Sequence, residues 1–444
     1  MLAALVACAA VLASPRAEAE ELARSQTQPP ARQAPPGERS AQPRSGVRQP
    51  PTQAPARPIE PQRPEAPAAD EFQFGSFLDA NPAAPLASVP EMFGDSFYRG
   101  GNLTLTNMPT LALSATLTSD LPLAGGARRV LAAEHNKALP VDRVYFNYNH
   151  FHNALESAAA GFGGAAALPG GRDFSINRYL LGWERTFSCG CWSAELRFPL
   201  AGHYAFDAIS PGGTEAAFAS GGEVGNLAVL LKGVVYNDGC TVVSAGLGFD
   251  LPIGDDAEAA ALTAVSSTRF SLENEAVYLL PYLAAMGRPD MSRFWHAFVQ
   301  LDVPLAPHGY RFETAGILPP TSIAGDWEDQ TLLHLDLGGG YWLYRSACTC
   351  SSGITGVAAI VELHYTTPLD ETDVESATIA TATTTFAFDL RNAANRTDVI
   401  NLTTGLHFEL AHCTTLRLAA ALPLREADNR WFDAEVLAQL ARRF

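Results

Sequence analysis

Two sets of side chains have the types and spacing that chemistry requires: cysteines near predicted turns, and histidines with carboxylates on predicted strands. Apart from Cys8, the cysteines include two Cys-x-Cys pairs, and they are Cys189, Cys191, Cys240, Cys348, Cys350 and Cys413. An even number of thiols in an oxidising compartment favours disulfides. Binding of a soft metal ion by the Cys-x-Cys pairs, and unpaired thiols that merely occupy turns, are the alternatives.

The second set lies on two strands that are adjacent in sequence. If their connection is symmetric about Thr349, His334 faces His364 and Asp336 faces Glu362. Two imidazoles and two carboxylates could hold a divalent metal ion or titrate near neutral pH. We expect a network of hydrogen bonds and salt bridges instead, so no metal site is predicted.

The sequence lacks the short motifs that indicate enzymes, namely Gly-x-Ser-x-Gly, His-Glu-x-x-His and a phosphate-binding loop. No catalytic residue and no cofactor is therefore predicted, and the chain is not expected to be an enzyme. The formal net charge of −17 also disfavours nucleic acid as a partner.

The elements that position these side chains are strands with an apolar residue at every second position. Leu333, Leu335 and Leu337 alternate with His334 and Asp336, and the same pattern recurs along the chain after residue 142. Such strands have one apolar and one polar face. Their length of about ten residues or more matches a tilted membrane-spanning strand, because strands of soluble sandwiches usually have about five or six.

The strands that we predict are joined by alternately long and short connections, which is typical of outer-membrane barrels. They are 142–153, 174–187, 192–201, 223–236, 241–252, 271–284, 293–304, 329–345, 354–366, 397–410, 414–424 and 431–444. The predicted fold is therefore all-β, a closed antiparallel transmembrane barrel of about 12 strands, with 10 or 14 as alternatives. The first and last strands should pair.

In this barrel every cysteine listed above lies at or beside a short turn, at the periplasmic rim. Adjacent turn centres are separated by two strand spacings, about 9 to 10 Å, which exceeds the usual Cα separation of a disulfide. The polar faces line the lumen with charges of mixed sign. The predicted lumen-lining residues are Arg143, Arg178, Glu184, Glu195, Arg197, Lys232, His296, Asp302, His334, Asp336, Glu362, His364, His407, Glu409 and Arg417.

The last predicted strand places Phe432, Val436, Leu440 and Phe444 on its apolar face. A final strand ending on an aromatic residue resembles the signal that the outer-membrane assembly machinery recognises, so Phe444 is the predicted assembly signal. The stretch 247–254, Leu-Gly-Phe-Asp-Leu-Pro-Ile-Gly, resembles a strand-end motif of transporter-like outer-membrane barrels, the family named after the phenol meta-cleavage pathway. The segment 142–149 and the strand 336–345 add to this resemblance.

The resemblance covers about residues 126–444 and implies a channel or transporter-like barrel without catalytic residues. The Pro-rich segment and the paired cysteines depart from the family pattern. The expected partners are outer-membrane lipid and the outer-membrane assembly machinery. The expected location is the bacterial outer membrane.

The N-terminal part has a different composition from the barrel. Residues 1–19 contain an apolar run and the triplet Ala17-Glu18-Ala19, which predict a signal peptide. Residues 20–70 are rich in Pro and Arg and poor in large aliphatic residues, which predicts a disordered periplasmic tether. Its arginines could contact the cell wall, although a merely solvated linker is the simpler interpretation.

Residues 71–141 are too short for an independent core, yet Phe72, Phe93 and Phe97 require burial. This segment should therefore be a plug inside the barrel or extra strands in its wall, and residues 142–444 should form the barrel. The predicted function is passive diffusion of small solutes through a polar lumen. The alternative is a structural or wall-tethering barrel with an occluded lumen.

Overall fold

The structure is a computed structural model that describes residues 84–444, except 96, 111, 124–128, 162–171, 211–213, 317–319, 347–352, 372, 392–396, 412 and 427–428. The predicted signal peptide (1–19) and tether (20–70) lie outside the described residues. In chain order the elements are α1 Ala84–Ala87, β1 Gly101–Pro109, β2 Ala115–Leu121, β3 Arg143–Ala160, β4 Arg172–Phe187, β5 Trp192–Ala201, β6 Tyr204–Ile209, β7 Ala216–Gly221, β8 Leu227–Asn237, β9 Thr241–Leu251, β10 Ala257–Leu262, β11 Ser267–Leu272, β12 Tyr278–Gly287, β13 Arg293–Pro304, β14 His308–Ala315, β15 Thr321–Trp327, β16 Leu332–Arg345, β17 Ile354–Pro368, β18 Glu375–Ala380, β19 Thr384–Arg391, β20 Val399–Leu410, β21 Thr414–Pro423 and β22 Ala434–Arg443. Within the described residues, no helix has the length and apolar character needed to span a membrane.

Twelve antiparallel strands close into a barrel, as predicted. Their order is β3-β22-β21-β20-β17-β16-β13-β12-β9-β8-β5-β4, and β4 pairs with β3 to complete the ring. The first and last barrel strands pair over ten positions, from Ala434 with His152 to Arg443 with Arg143. The closed, all-β fold class is therefore confirmed.

The predicted bounds of the barrel strands agree best where the alternation is strongest. β5 and β13 begin and end at the predicted residues, whereas β12 begins at Tyr278 rather than at residue 271. The cause is that Ser267–Leu272 forms β11, which belongs to a second sheet. The barrel strand therefore starts only after the chain has left that sheet.

The alternation has the predicted orientation with respect to the barrel wall. Side chains such as Leu337, Val361 and Leu406 point outward and are exposed, whereas their neighbours Asp336 and Glu362 point inward and are buried. One residue departs from the prediction. Phe432, expected on the outer face of the last strand, precedes β22 and is buried in an apolar core beyond the barrel end.

The long connections fold into a cap at one end of the barrel, whereas the sequence predicted them to be loops. Three hairpins, β6–β7, β10–β11 and β14–β15, form a six-stranded sheet. The strands β18, β19, β1 and β2 extend the barrel sheet from the end of β3, and β1 and β2 contact β7, β10 and β11 of the six-stranded sheet. Buried Leu105, Leu117, Phe270, Phe312 and Phe388 belong to the core between them. We call this double-sheet structure the cap.

The chain between α1 and β3 passes through the lumen twice. Residues 84–100 run from the short-turn end, where Arg443 Nη1 donates to the Ala87 carbonyl at 3.0 Å, to the cap, where the Phe97 and Phe151 rings are 4.8 Å apart. After β1 and β2, residues 129–142 return to the short-turn end. The Thr186 N–H donates there to Asp142 Oδ1 at 2.7 Å. We call the described parts of 84–100 and 122–142 the plug.

Candidate functional site

The predicted lumen residues lie on the inner wall, and the plug makes nearly all of them inaccessible. Relative exposure is 8% or less for Arg143, Arg178, Glu184, Glu195, Arg197, Lys232, His296, Asp302, His334, Asp336, Glu362, His364, His407 and Arg417. Glu409 is only partly buried. The candidate site is therefore an interface between plug and wall.

A charged network covers the inner wall of four strands, β3, β4, β5 and β8. Glu184 accepts from Arg143 at 2.8 Å and from Lys232 at 2.9 Å, and Glu195 accepts from Arg197 at 3.0 Å. These residues lie on β3, β4, β5 and β8, which are neighbours in the barrel. Glu184 directly faces Glu195, and the basic residues around them supply the counter-charges. Mixed signs keep the buried charges paired, which a single-sign lumen would not.

The histidine and carboxylate set has a different register from the predicted one. His334 pairs with Thr366 and Asp336 pairs with His364, so the predicted facing of His334 with His364 is wrong. The connection is not symmetric about Thr349, and a bulge lies between Trp342 and Tyr344. The register differs by two residues from the prediction, so all four side chains still point inward.

The rearranged set forms a hydrogen-bond network, and the two histidines are separated. His364 lies between two carboxylates, with Nδ1 2.8 Å from Asp336 Oδ1 and Nε2 3.3 Å from Glu362 Oε2. His334 Nδ1 contacts Thr366 Oγ1 at 2.8 Å. Across the described chain, no group of three or more His, Cys, Asp or Glu side chains is arranged to hold a metal ion.

The outward pass of the plug is held by wall side chains that bind its main chain. Glu362 accepts from the N–H groups of Phe93 and Gly94 at 2.8 and 3.1 Å. Arg417 Nη1 donates to the Glu91 carbonyl at 2.7 Å, and Gln439 Nε2 donates to the Phe93 carbonyl at 3.0 Å. The wall therefore satisfies plug peptide groups that secondary structure would otherwise pair.

The return pass is held in the same manner from the opposite wall. Arg197 Nη1 donates to the Leu131 carbonyl at 2.8 Å, and Gln300 Nε2 donates to the Val130 carbonyl at 2.8 Å. Arg178 and Glu134 form an ion pair at 3.1 Å. The two passes also bind each other, because the Met92 N–H donates to the Asn136 carbonyl at 2.8 Å.

Sequence reasoning missed an apolar side of the lumen. Inward-facing Leu280, Phe298 and Ile360 are buried in one cluster with Met92 and Leu131 of the plug. A signal was present, since these residues occupy inward positions of the same alternating pattern as His296 and Glu362. One side of the lumen is therefore lined by polar residues, and the other side by both apolar and polar residues.

The described cysteines are unpaired thiols. Cys189, Cys191, Cys240 and Cys413 are free and lie in short connections, with Cys189, Cys240 and Cys413 exposed. Cys348 and Cys350 lie outside the described residues.

No protein family matches the chain, and no curated protein matches it. Similar solved structures include the COG4313 outer membrane channel from Pseudomonas putida F1, with 12% identity, 69% of this chain and 97% of that chain covered, and a TM-score of 0.39. The Ralstonia pickettii toluene transporter TbuX has 10% identity, coverage of 72% and 96%, and a TM-score of 0.33. The translocator domain of the autotransporter NalP from Neisseria meningitidis has 5% identity, coverage of 68% and 87%, and a TM-score of 0.36. The barrel fold itself rests on the chain's own strand pairings.

Proposed function

We propose that the chain is an outer-membrane channel or transporter-like barrel for small solutes, and that the plug holds it closed in the described conformation. Its solutes would cross by diffusion along the polar wall after the plug has shifted.

The outer surface of the barrel supports insertion into a membrane. On β17 the outward residues from Val357 to Tyr365 are apolar over nine positions, which suits the nine to eleven residues of a tilted membrane strand. Exposed Phe187, Trp192 and Tyr344 lie near the short-turn end. Aromatic residues at this level are typical of barrels at the membrane interface.

The observation that carries the proposal is the chemistry of the plug interface. Glu362, Arg417 and Arg197 bind plug peptide groups, and water can replace a wall side chain as partner for each of those groups. If the plug only filled the lumen, an apolar interface would be more stable than a charged one, because burying charges costs desolvation free energy. A displaceable plug and a hydrophilic wall together suit a gated aqueous path.

A structural barrel with an occluded lumen is the second candidate, favoured by the anchoring of the plug at the cap. β1 pairs with β19 over eight positions, and β2 pairs with β3 over four. Since these strands continue directly from the plug, the plug cannot leave through the short-turn end without breaking both pairings. Gating must therefore be a local shift.

Single-channel recording in planar bilayers tests the proposal. In a chain whose native cysteines are replaced by Ser, Ala138→Cys with Ser244→Cys places one thiol on the plug and one on the wall, at two residues that are in direct contact. Openings should be abolished under oxidation and return on reduction, while the cysteine-free parent conducts under both conditions. A parent that never conducts, in bilayers where a known porin does, supports the structural barrel and contradicts the channel.

A further inference from the structure

We propose that a hard divalent cation such as Ca²⁺ binds in the lumen between plug and wall, on oxygen atoms of Asp95, Asn401, Thr403 and Glu435. Asp95 belongs to the outward pass of the plug. The other three residues belong to β20 and β22. This proposal is independent of whether the barrel conducts.

Sheet register brings the wall residues to one patch of the inner surface. Thr403 pairs with Ala421, and Ala421 pairs with Glu435, so the three lie in one row across β20, β21 and β22. Ala421, which lies between the two oxygen-bearing residues, has a short side chain without polar atoms. Asn401 is two residues from Thr403 on the same face, and its side-chain amide donates to Asp95 Oδ2. The plug carboxylate is thereby fixed beside the patch.

Two carboxylates in this patch, on buried Glu435 and partly buried Asp95, lie near each other with no cationic side chain of the described residues bound directly to either. Glu435 is fully buried, and the nearby Asp95 carboxylate repels it. Neither forms a salt bridge among the described residues. The adjacent cations are engaged elsewhere, since Arg178 pairs with Glu134 and His364 lies between Asp336 and Glu362. Two neighbouring negative charges are costly without a bound counter-charge, above all where one of them is fully buried.

The unsatisfied atoms in the patch show which counter-charge fits. Asp95 Oδ1, Asn401 Oδ1, Thr403 Oγ1 and Glu435 Oε2 are buried and have no hydrogen-bond partner. A proton shared by the carboxylates would serve two of these four acceptors. A hard cation takes six to eight oxygen ligands, including carboxylate, amide and hydroxyl oxygens with water, and so can serve all four. This donor set contains two carboxylates, one amide and one hydroxyl. It is therefore different from a group of three or more His, Cys, Asp or Glu side chains, which the described residues lack.

A cation at this position would join the outward pass of the plug to the wall strands beside the barrel seam. Glu362 binds Phe93 and Gly94 directly before Asp95, so the ion would add a second attachment to the same stretch.

Calorimetric titration of CaCl₂ into the full chain in detergent micelles, after removal of metal with chelator, tests the proposal. The wild type should bind one more Ca²⁺ per chain than Glu435→Gln or Asp95→Asn does. Glu409→Gln is the matched control, because it removes a partly buried wall carboxylate on the same β20 strand and should bind as the wild type does. Ca²⁺ should also raise the melting temperature of the wild type and control but not of the two variants.

Thr403→Val keeps both charges and the side-chain volume, so it provides a second test if the charge variants fold poorly. It should weaken Ca²⁺ binding at this site about tenfold, as expected for the loss of one ligand worth roughly 1.4 kcal/mol. Equal stoichiometry in all variants would overturn the proposal. So would a wild type that is indifferent to Ca²⁺ while Glu435→Gln melts higher than it in metal-free buffer, since this result identifies a shared proton instead.

Discussion

Glu362 of β17 accepts a hydrogen bond from the main-chain N–H of Phe93 at 2.8 Å, and this contact joins the plug to a wall strand 269 residues later in the sequence. Glu362→Gln should weaken it, because a neutral amide oxygen accepts more weakly than a carboxylate. We expect a loss of about 2 kcal/mol in the free energy of unfolding. Urea titration of the gel-mobility shift between folded and unfolded barrel measures it. Glu258→Gln on the exposed cap surface is the control, and an equal loss in both would contradict the attachment.

Gly94 is required where the two passes of the plug touch. Its φ is +75°, and a Cβ atom there would lie 2.4 Å from Glu134 Cα. Gly94→Ala should therefore force the passes apart and increase the open probability in bilayers, or prevent assembly. Gly190→Ala is the matched control, since Gly190 has φ of +80° but nothing within 4 Å of the added carbon. Both variants share the backbone strain of about 1–2 kcal/mol, so only the difference between them reports the clash.

The thiols at the short turns report the orientation of the barrel. Short turns of outer-membrane barrels face the periplasm, so Cys240 should resist a membrane-impermeant maleimide in intact cells and react after the outer membrane is permeabilised. Glu258→Cys in a cysteine-free chain should react in intact cells. Labelling of Cys240 in intact cells would reverse the orientation.

The Asp238 carboxylate stabilises the turn between β8 and β9 in a pH-dependent manner. Hydrogen bonds from the main-chain N–H groups of Cys240 and Thr241, with one from Tyr236, hold the pKa of Asp238 below its ordinary value of 3.8. A lowered carboxyl pKa contributes stability above the unfolded value, and this contribution is lost as pH falls through the folded value. Asp238→Ala should therefore melt below the wild type at pH 6, and the difference should vanish towards pH 2. A difference that persists at pH 2 would indicate a packing effect.

The barrel strands could be predicted from sequence because each has an exposed outer face with an apolar residue at every second position. The cap strands carry a weaker signal. β10 reads Ala-Glu-Ala-Ala-Ala-Leu, and short side chains at both inner and outer positions do not distinguish a strand from a loop. What each face of β10 contacts depends on how the three hairpins pair, which local sequence does not determine.

The sequence predicted which residues face the lumen but not which of them lie opposite each other on neighbouring strands. Inward orientation depends only on parity, so His334 and His364 were placed on the correct face. Their pairing depends on the length and bulge of the intervening connection, which local sequence does not determine. The contact of Phe93 with Glu362 joins residues 269 positions apart, and no local pattern encodes such a contact.

The double passage of the plug also constrains the order in which the molecule is made. The plug lies inside the ring, while β1 and β2, which connect its passes, are paired with β19 and β3 beyond one end of it. A ring that closed first would have to admit a two-stranded hairpin lengthwise, and native folds avoid threading of this kind. We therefore expect the sheet to curl around a hairpin already laid across it, with the zipping of β22 onto β3 as the final event of biogenesis.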